Sequence, residues 1–468
     1  MATRQEQLGR QIDHPGRSNM EASRHLVDLA ATPPHEAHLS KLRQLCLRLG
    51  PKMGLTFCMD QQSVTSTATQ QEEVSPMKRF CSIMNQLLQF FPRPEFEKLV
   101  KETKAEKHAR GFSSWDQFVA MLFCQLGDAQ SLREICGGLS SCGRRLQQLG
   151  IKTPAKSTLS YANAHRPWEL LEKVFYALYQ RCQTEVGTKS KLRIKKKLLS
   201  IDSTHVSLCS ELFPWAKYSK QKGAVKLHFT LNHAGYLPAA MVITTGNYSE
   251  LIIARQRPYE AGIVLTFDRG YVDFEWFGRL EEQGVCFVTR LKKHMRYDVV
   301  EQRPIPAGTE IVSDQVVRFT AKVTQKRYPG RLRIVTIETK DGERLEFLTN
   351  QMSWAASTIA AIYKDRWQIE SFFKMLKQNL RIKSFVGMSA NAVWIQIWTA
   401  LIAMLLIKFL QLKAQFGWSF SNLVYFLRMN LLVYRDLWEW LDKPFSPPEE
   451  TEAEVVPAPP TQLGMAWS

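Results

Sequence analysis

Acid is what this sequence has too little of. Its 468 residues carry 44 Asp and Glu against 62 Lys and Arg, a formal net charge of +18 with a pI near 9.5. Such a deficit disfavours cationic partners and favours a polyanion, because each cation that neutralises a phosphate releases a condensed counterion. Nucleic acid is the leading partner class and an anionic membrane surface the rival. A long uninterrupted apolar run is also lacking. The most apolar stretch, "VWIQIWTALIAMLLIKFLQL" from Val393 to Leu412, contains Gln396 and is broken by Lys408. It falls short of the roughly 20 apolar residues of a spanning helix and reads as a buried helix. The nine cysteines include no CxxC pair and no Cys/His cluster at zinc spacing, so neither a zinc module nor a disulfide framework is expected. Reduced thiols in a cytoplasm are the simpler reading. The N-terminus "MATRQEQLGRQIDHPGRS" lacks the apolar core of a signal peptide.

What is present is enough for a real core, with 45% hydrophobic residues. Residues 1–76 are polar and irregular and read as a disordered or appended segment, with Met77 an alternative start. From Phe80 the apolar spacing becomes helical, and 77–190 is expected to form a Lys- and Arg-rich helical domain. "KLRIKKK" (191–197), a basic run that could track a DNA backbone, leads into a region of strands and helices: "LLSIDST", "VKLHFTLNHAGYLPAAMVITTG", "IVLTFD" and "VCFVTRL". Their order suits a mixed sheet covered by helices over 191–390, an α/β fold, with a β-rich insertion at about 295–350. Helices follow over 391–442, and 443–468 is an acidic, Pro-rich tail.

Two carboxylates draw attention in the sheet region. Asp202 and Asp268 each end an apolar strand pattern, where α/β proteins place their chemistry. A third acid lies further on, in "YKDRWQIESFFKMLKQ" (363–378). At about 100° per residue, Tyr363, Arg366, Glu370 and Lys377 of one helix fall within an arc of roughly 60°, with Lys374 beside them. The apolar residues Ile362, Ile369, Phe372, Phe373, Leu376 and Leu380 fall opposite. An ordinary solvated face of ion pairs would give the same stripe. Three convergent carboxylates could instead hold hard divalent cations for phosphoryl transfer. His205 reads as a surface or packing residue rather than a ligand.

Those residues resemble the IS4-type insertion-sequence transposases, which carry a DDE catalytic core. Tyr363-x2-Arg366-x3-Glu370-x6-Lys377 is similar to that family's Y-R-E-K signature at every spacing, "SIDST" to the motif of the first acid and "FDRGY" to that of the second. The resemblance runs from about Phe80 to about Leu412. It implies a ribonuclease-H-like fold with a β-rich insertion and an N-terminal helical DNA-binding domain. It also implies a two-metal site of Mg²⁺, with Mn²⁺ as a substitute, on Asp202, Asp268 and Glu370. DNA phosphates would be held by Tyr363, Arg366 and Lys377, with Lys374 and Arg269 as further contacts. The implied activity is binding of inverted-repeat ends followed by DNA cleavage and strand transfer, by a homodimer in the synaptic complex, in a bacterial cytoplasm at the nucleoid. A domesticated DNA-binding protein and a nuclease that never joins are the alternatives. In relatives a flipped base stacks on a tryptophan of the β insertion. No Trp lies between Trp276 and Trp354 here, leaving Tyr297, Phe319 or Tyr328 for that task.

Overall fold

The computed structural model describes residues 81–446 apart from 108, 144, 187–195, 220 and 306–307. The 1–76 segment, most of the acidic tail and 191–195 of the basic run lie outside the described residues. Among the described residues seven helices come first, a single turn at Arg145–Gln148 and six longer ones: α1 (Ile83–Leu88), α2 (Arg93–Thr103), α3 (Ser114–Leu126), α4 (Leu132–Ser141), α5 (Lys156–His165) and α6 (Glu169–Val186). Their ends follow local chemistry. Ser113 and Asp116 form a reciprocal capping box at the start of α3, and Ser131 caps α4 through the Glu134 N–H.

The strands then build one sheet. They are β1 (Leu198–Leu208), β2 (Lys217–Ser219), β3 (Lys222–Asn232), β4 (Leu237–Thr245), β5 (Val264–Phe267) and β6 (Cys286–Arg290), with α7 (Glu250–Gln256) before β5 and α8 (Phe274–Glu282) after it. β7 (Tyr297–Gln302), β8 (Ile311–Phe319), α9 (Lys322–Arg327), β9 (Leu332–Glu338) and β10 (Arg344–Thr349) follow. The order across the sheet is β2-β3-β1-β5-β6-β10-β9-β8-β7, with β4 also on β3. β5 runs parallel to β1 and to β6; every other pairing is antiparallel. The β-rich insertion is therefore no separate layer. β10 pairs with β6 and carries the sheet outward, and a buried Arg333–Asp314 pair at 2.6 Å ties β9 to β8.

The last helices are α10 (Ala356–Asp365), α11 (Gln368–Asn379), α12 (Ala390–Lys413), α13 (Phe420–Asn430) and α14 (Leu437–Asp442). α12 is long and apolar enough to cross a membrane, but 89% of its apolar window is buried within the protein. It forms the axis of the largest core, where Trp398 packs on Phe175 of α6 and Trp168. That core is continuous from Phe118 of α3 through α12 to Phe229 of β3 and Phe372 of α11. The N-terminal helices thus share their interior with the sheet's helical face. The seven cysteines among the described residues form no disulfide.

Candidate active site

The sheet brings Asp202 and Asp268 to one edge. Parallel pairing between β1 and β5 stops at Ser200 and Thr266, and each acid lies two residues beyond that last shared pair. Asp202 is nevertheless not at the end of its strand, because β1 continues to Leu208 on the antiparallel partner β3. The apolar pattern breaks where the parallel neighbour leaves. Asp268 follows β5 and caps the short turn Arg269–Tyr271, its Oδ1 accepting from the Gly270 N–H at 2.8 Å. A Cβ at position 270 would stand 2.9 Å from that oxygen, which accounts for the glycine in "FDRGY".

The signature segment is not one helix. α10 ends at Asp365, and α11 begins at Gln368 after Arg366 and Trp367. Glu370 consequently sits in the first turn of a new helix, where the exposed N–H groups and the macrodipole favour a carboxylate. Arg366 is buried, not solvated. Its Nη1 stands 2.8 Å from Glu370 Oε1 and 3.8 Å from Asp202 Oδ2, so one guanidinium spans the first and third acids. The pairing is incomplete: Arg366 Nε and Nη1 and Glu370 Oε2 are buried without a hydrogen-bond partner. Burial pushes the Asp202 carboxyl up to about 7; the Ser203 N–H opposes this, and the charges of Asp268 and Glu370 add to it.

The other expected contacts divide between interior and surface. Tyr363 is buried with its ring 4.7 Å from Phe347. Lys377 donates to Thr204 Oγ1 at 2.6 Å, tying α11 to β1 two residues past Asp202. Lys374 and Arg269 are exposed. Trp367 is 61% exposed, with the Arg366 guanidinium 5.5 Å from its ring centre. Of the aromatics in the insertion, Phe319 and Tyr328 are buried and Tyr297 half-buried. His205 is exposed, with Nε2 3.1 Å from the Gly246 carbonyl.

Several participants escaped the reading of the sequence. Glu250, in the first turn of α7, accepts from Ser203 Oγ at 2.5 Å and pairs with Lys226 at 3.4 Å, tying α7 to the residue after Asp202. Its only trace in the sequence is the helix start "SEL". A buried relay also underlies the site. Ser200 Oγ lies 2.5 Å from His233 Nε2, and His233 Nδ1 2.5 Å from Asp365 Oδ2, which also takes part with Oδ1 in binding the Tyr236 hydroxyl at 3.1 Å. Ser200 is fully buried, so this serine–histidine–aspartate chain positions rather than attacks. It joins β1, the β3–β4 turn and the residue preceding Arg366.

A mixed sheet with Asp202 and Asp268 at one edge, beside a buried, under-bonded guanidinium that Glu370 also meets, defines an α/β protein with acids clustered at that edge. The comparisons with known proteins narrow the class. Residues 193–406 match the family described as "Transposase DDE domain", and residues 81–152 match a domain of unknown function, DUF4372. A protein of Sinorhizobium fredii named as a transposase, y4zB, is 34% identical over 59% of this chain and 77% of its own length. The transposase named for insertion sequence element IS5377 of Geobacillus stearothermophilus is 31% identical over 57% of this chain and 70% of its own. The cryo-EM structure of the piggyBac transposase synaptic complex with hairpin DNA aligns with a TM-score of 0.36 at 13% identity, covering 81% of this chain and 84% of that one. The chain belongs to the DDE transposases of insertion sequences.

DDE domains use divalent metal ions. Asp202, Asp268 and Glu370 offer only hard oxygens, which suits such ions, and Glu370 Oε2 is a buried acceptor with no donor. Among the described residues no three His, Cys, Asp or Glu side chains stand close enough to enclose one ion as placed. Arg366 stands between Asp202 and Glu370.

Proposed function

We propose that this transposase binds the inverted-repeat ends of its element and catalyses cleavage and strand transfer, with Asp202, Asp268 and Glu370 as Mg²⁺ ligands. The observation that carries the reading is the meeting of Asp202 and Glu370 on Arg366, with Asp268 close enough for its charge to act on Asp202, although the three come from segments far apart in sequence. The order β4-β3-β1-β5-β6, an antiparallel meander followed by two parallel strands, supports a ribonuclease-H-like core.

Bound metal would supply a Lewis acid and an activated oxygen nucleophile. The chain's own residues prepare that site. Gly270 leaves room for the Asp268 carboxylate, Lys377 braces α11 against β1, and the His233–Asp365 relay fixes the backbone entering Arg366. Arg366 balances Asp202 and Glu370 before loading and afterwards lies beside them, able to meet phosphate charge. Exposed Lys374 and Arg269 flank the acids as DNA contacts. Function as a homodimer on DNA in the cytoplasm belongs to the same proposal.

The experiment is cleavage of a labelled duplex bearing the element's end by Glu370→Gln, Asp202→Asn and Asp268→Asn proteins in Mg²⁺. Each is expected to bind the duplex and lose at least about 10³-fold in cleavage, the scale of one essential group in a catalytic unit. Undiminished nicking by any one of them removes that residue from the site. Absence of joined product from the wild type with target DNA would instead favour a nuclease.

A further inference from the structure

Away from the acids, at the far end of α11, lies a cavity of about 480 Å³ whose lining includes Lys377, Arg381, Lys383, Arg428, Asp128 and Tyr425. Four cations there face one acid. The acid is already committed: Asp128 pairs with Arg381 Nε at 2.6 Å and with Arg428 Nη1 at 3.1 Å. It does so from a left-handed backbone, φ 62°, a conformation uncommon for any residue but glycine. Arg381 Nη2 also donates to the Asp128 carbonyl at 3.3 Å, and Arg428 Nε to that of Leu126 at 3.3 Å. Each guanidinium has five N–H donors, more than these partners use. The turn after α3 therefore holds two arginines from separate elements side by side, with donors to spare. Lys383 is exposed and forms no ion pair among the described residues. Its charge and burial together lower the Lys377 pKa, burial being the larger cause.

We infer that this groove seats the DNA backbone, with Arg381, Lys383 and Arg428 binding phosphates of the strand that leads away from the acids. The inference rests on the DNA-transposase reading and adds a partner surface to it. Lys377 follows Glu370 by seven residues, so the groove opens about 10 Å along the helix from the third acid. That distance is about three nucleotide steps at 3.4 Å per step. The exposed Tyr425 hydroxyl adds a neutral donor at the rim, a type commonly used on phosphates.

The test is equilibrium binding of the full chain, carrying Glu370→Gln to prevent turnover, to a fluorescent duplex bearing the element's end and to a scrambled duplex of equal length. Titrations run from 50 to 200 mM salt. Loss of two phosphate contacts in Lys383→Ala/Arg428→Ala should lower the slope of log K against log salt by about 1.8. The affinity deficit of the variant should then shrink about 12-fold across that range, equally on both duplexes. Lys383→Ala alone, at an exposed side chain that threatens no packing, should remove about half of the change, and Lys383→Arg should restore it. Slopes that match the parent on both duplexes overturn the groove, while the transposase reading stands if the wild type still cleaves. A wild type that neither binds nor cleaves the end duplex would overturn that reading instead.

Discussion

At the scale of single residues, the site is set by what small groups permit. Gly270 is the sharpest case, because a Cβ there meets the very oxygen of Asp268 that its own N–H holds. The carboxylate can swing away cheaply, so Gly270→Ala should fold with a melting temperature close to wild type. Cleavage should fall by at least an order of magnitude, since a misplacement of about 1 Å costs on the order of 100-fold. Full activity in that variant would mean that Asp268 is not held where the turn puts it. Far from the acids, Glu172 is buried with Oε2 unpartnered, and burial, reinforced by Glu169, raises its pKa to about 8. An acid whose folded pKa exceeds its unfolded value near 4.5 costs stability as pH rises between the two. The loss is at most about 5 kcal/mol, from 1.36 kcal/mol per pH unit. Glu172→Gln should therefore leave the melting temperature unchanged near pH 5 and raise it at pH 9. An equal shift at both pH values would point to packing rather than ionisation.

At the scale of elements, the positions of Asp202 and Asp268 were legible in the sequence because each follows a break in an apolar strand pattern, and that of Glu370 because it is an acid on a basic helical stripe. The local geometry was less so. Projection of 363–378 as one helix put Tyr363, Arg366 and Glu370 on one stripe, whereas the helix breaks at Arg366–Trp367 and Tyr363 and Arg366 are buried. A helical wheel cannot detect that break, since both residues keep right-handed helical dihedrals, Arg366 at φ −52° and Trp367 at φ −58°. Glu250 and His233 were missed for another reason: their partners Ser203 and Asp365 are 47 and 132 residues away. The insertion was legible as strands but not as a continuation of the main sheet, a matter of pairing that periodicity does not encode. Its anchor is testable. Arg333 donates to both Asp314 oxygens, at 2.7 and 2.6 Å, and to the Trp354 carbonyl at 2.6 Å, just before α10. Arg333→Met leaves Asp314 buried and unpaired and should destabilise by about 3–5 kcal/mol. Arg333→Met/Asp314→Leu should recover most of that loss in chemical denaturation, and failure to recover would show that the carbonyl contact is the larger share.

At the scale of the whole molecule, the question is whether the basic N-terminal helices form a module that binds DNA on its own. The sequence leads us to expect one, but the packing joins them to everything else. Gln125 of α3 accepts from the Arg381 N–H at 2.8 Å, and Asn391 at the start of α12 donates to the carbonyls of Asn163 and Arg166 at 2.8 and 2.6 Å. With α12 buried between α3, α6 and the sheet, opening the N-terminal helices would expose the most apolar helix of the chain. Separate unfolding would thus cost most of the core's burial energy, at roughly 25 cal/mol per Å². Native-state hydrogen exchange of the full chain should accordingly place the slowest amides of α3, α12 and β3 at one common free energy, rising and falling together with denaturant. If α3 instead exchanged through an earlier opening while α12 and β3 stayed closed, the helices would be an independent unit, and recognition of the element's ends could be sought in them alone.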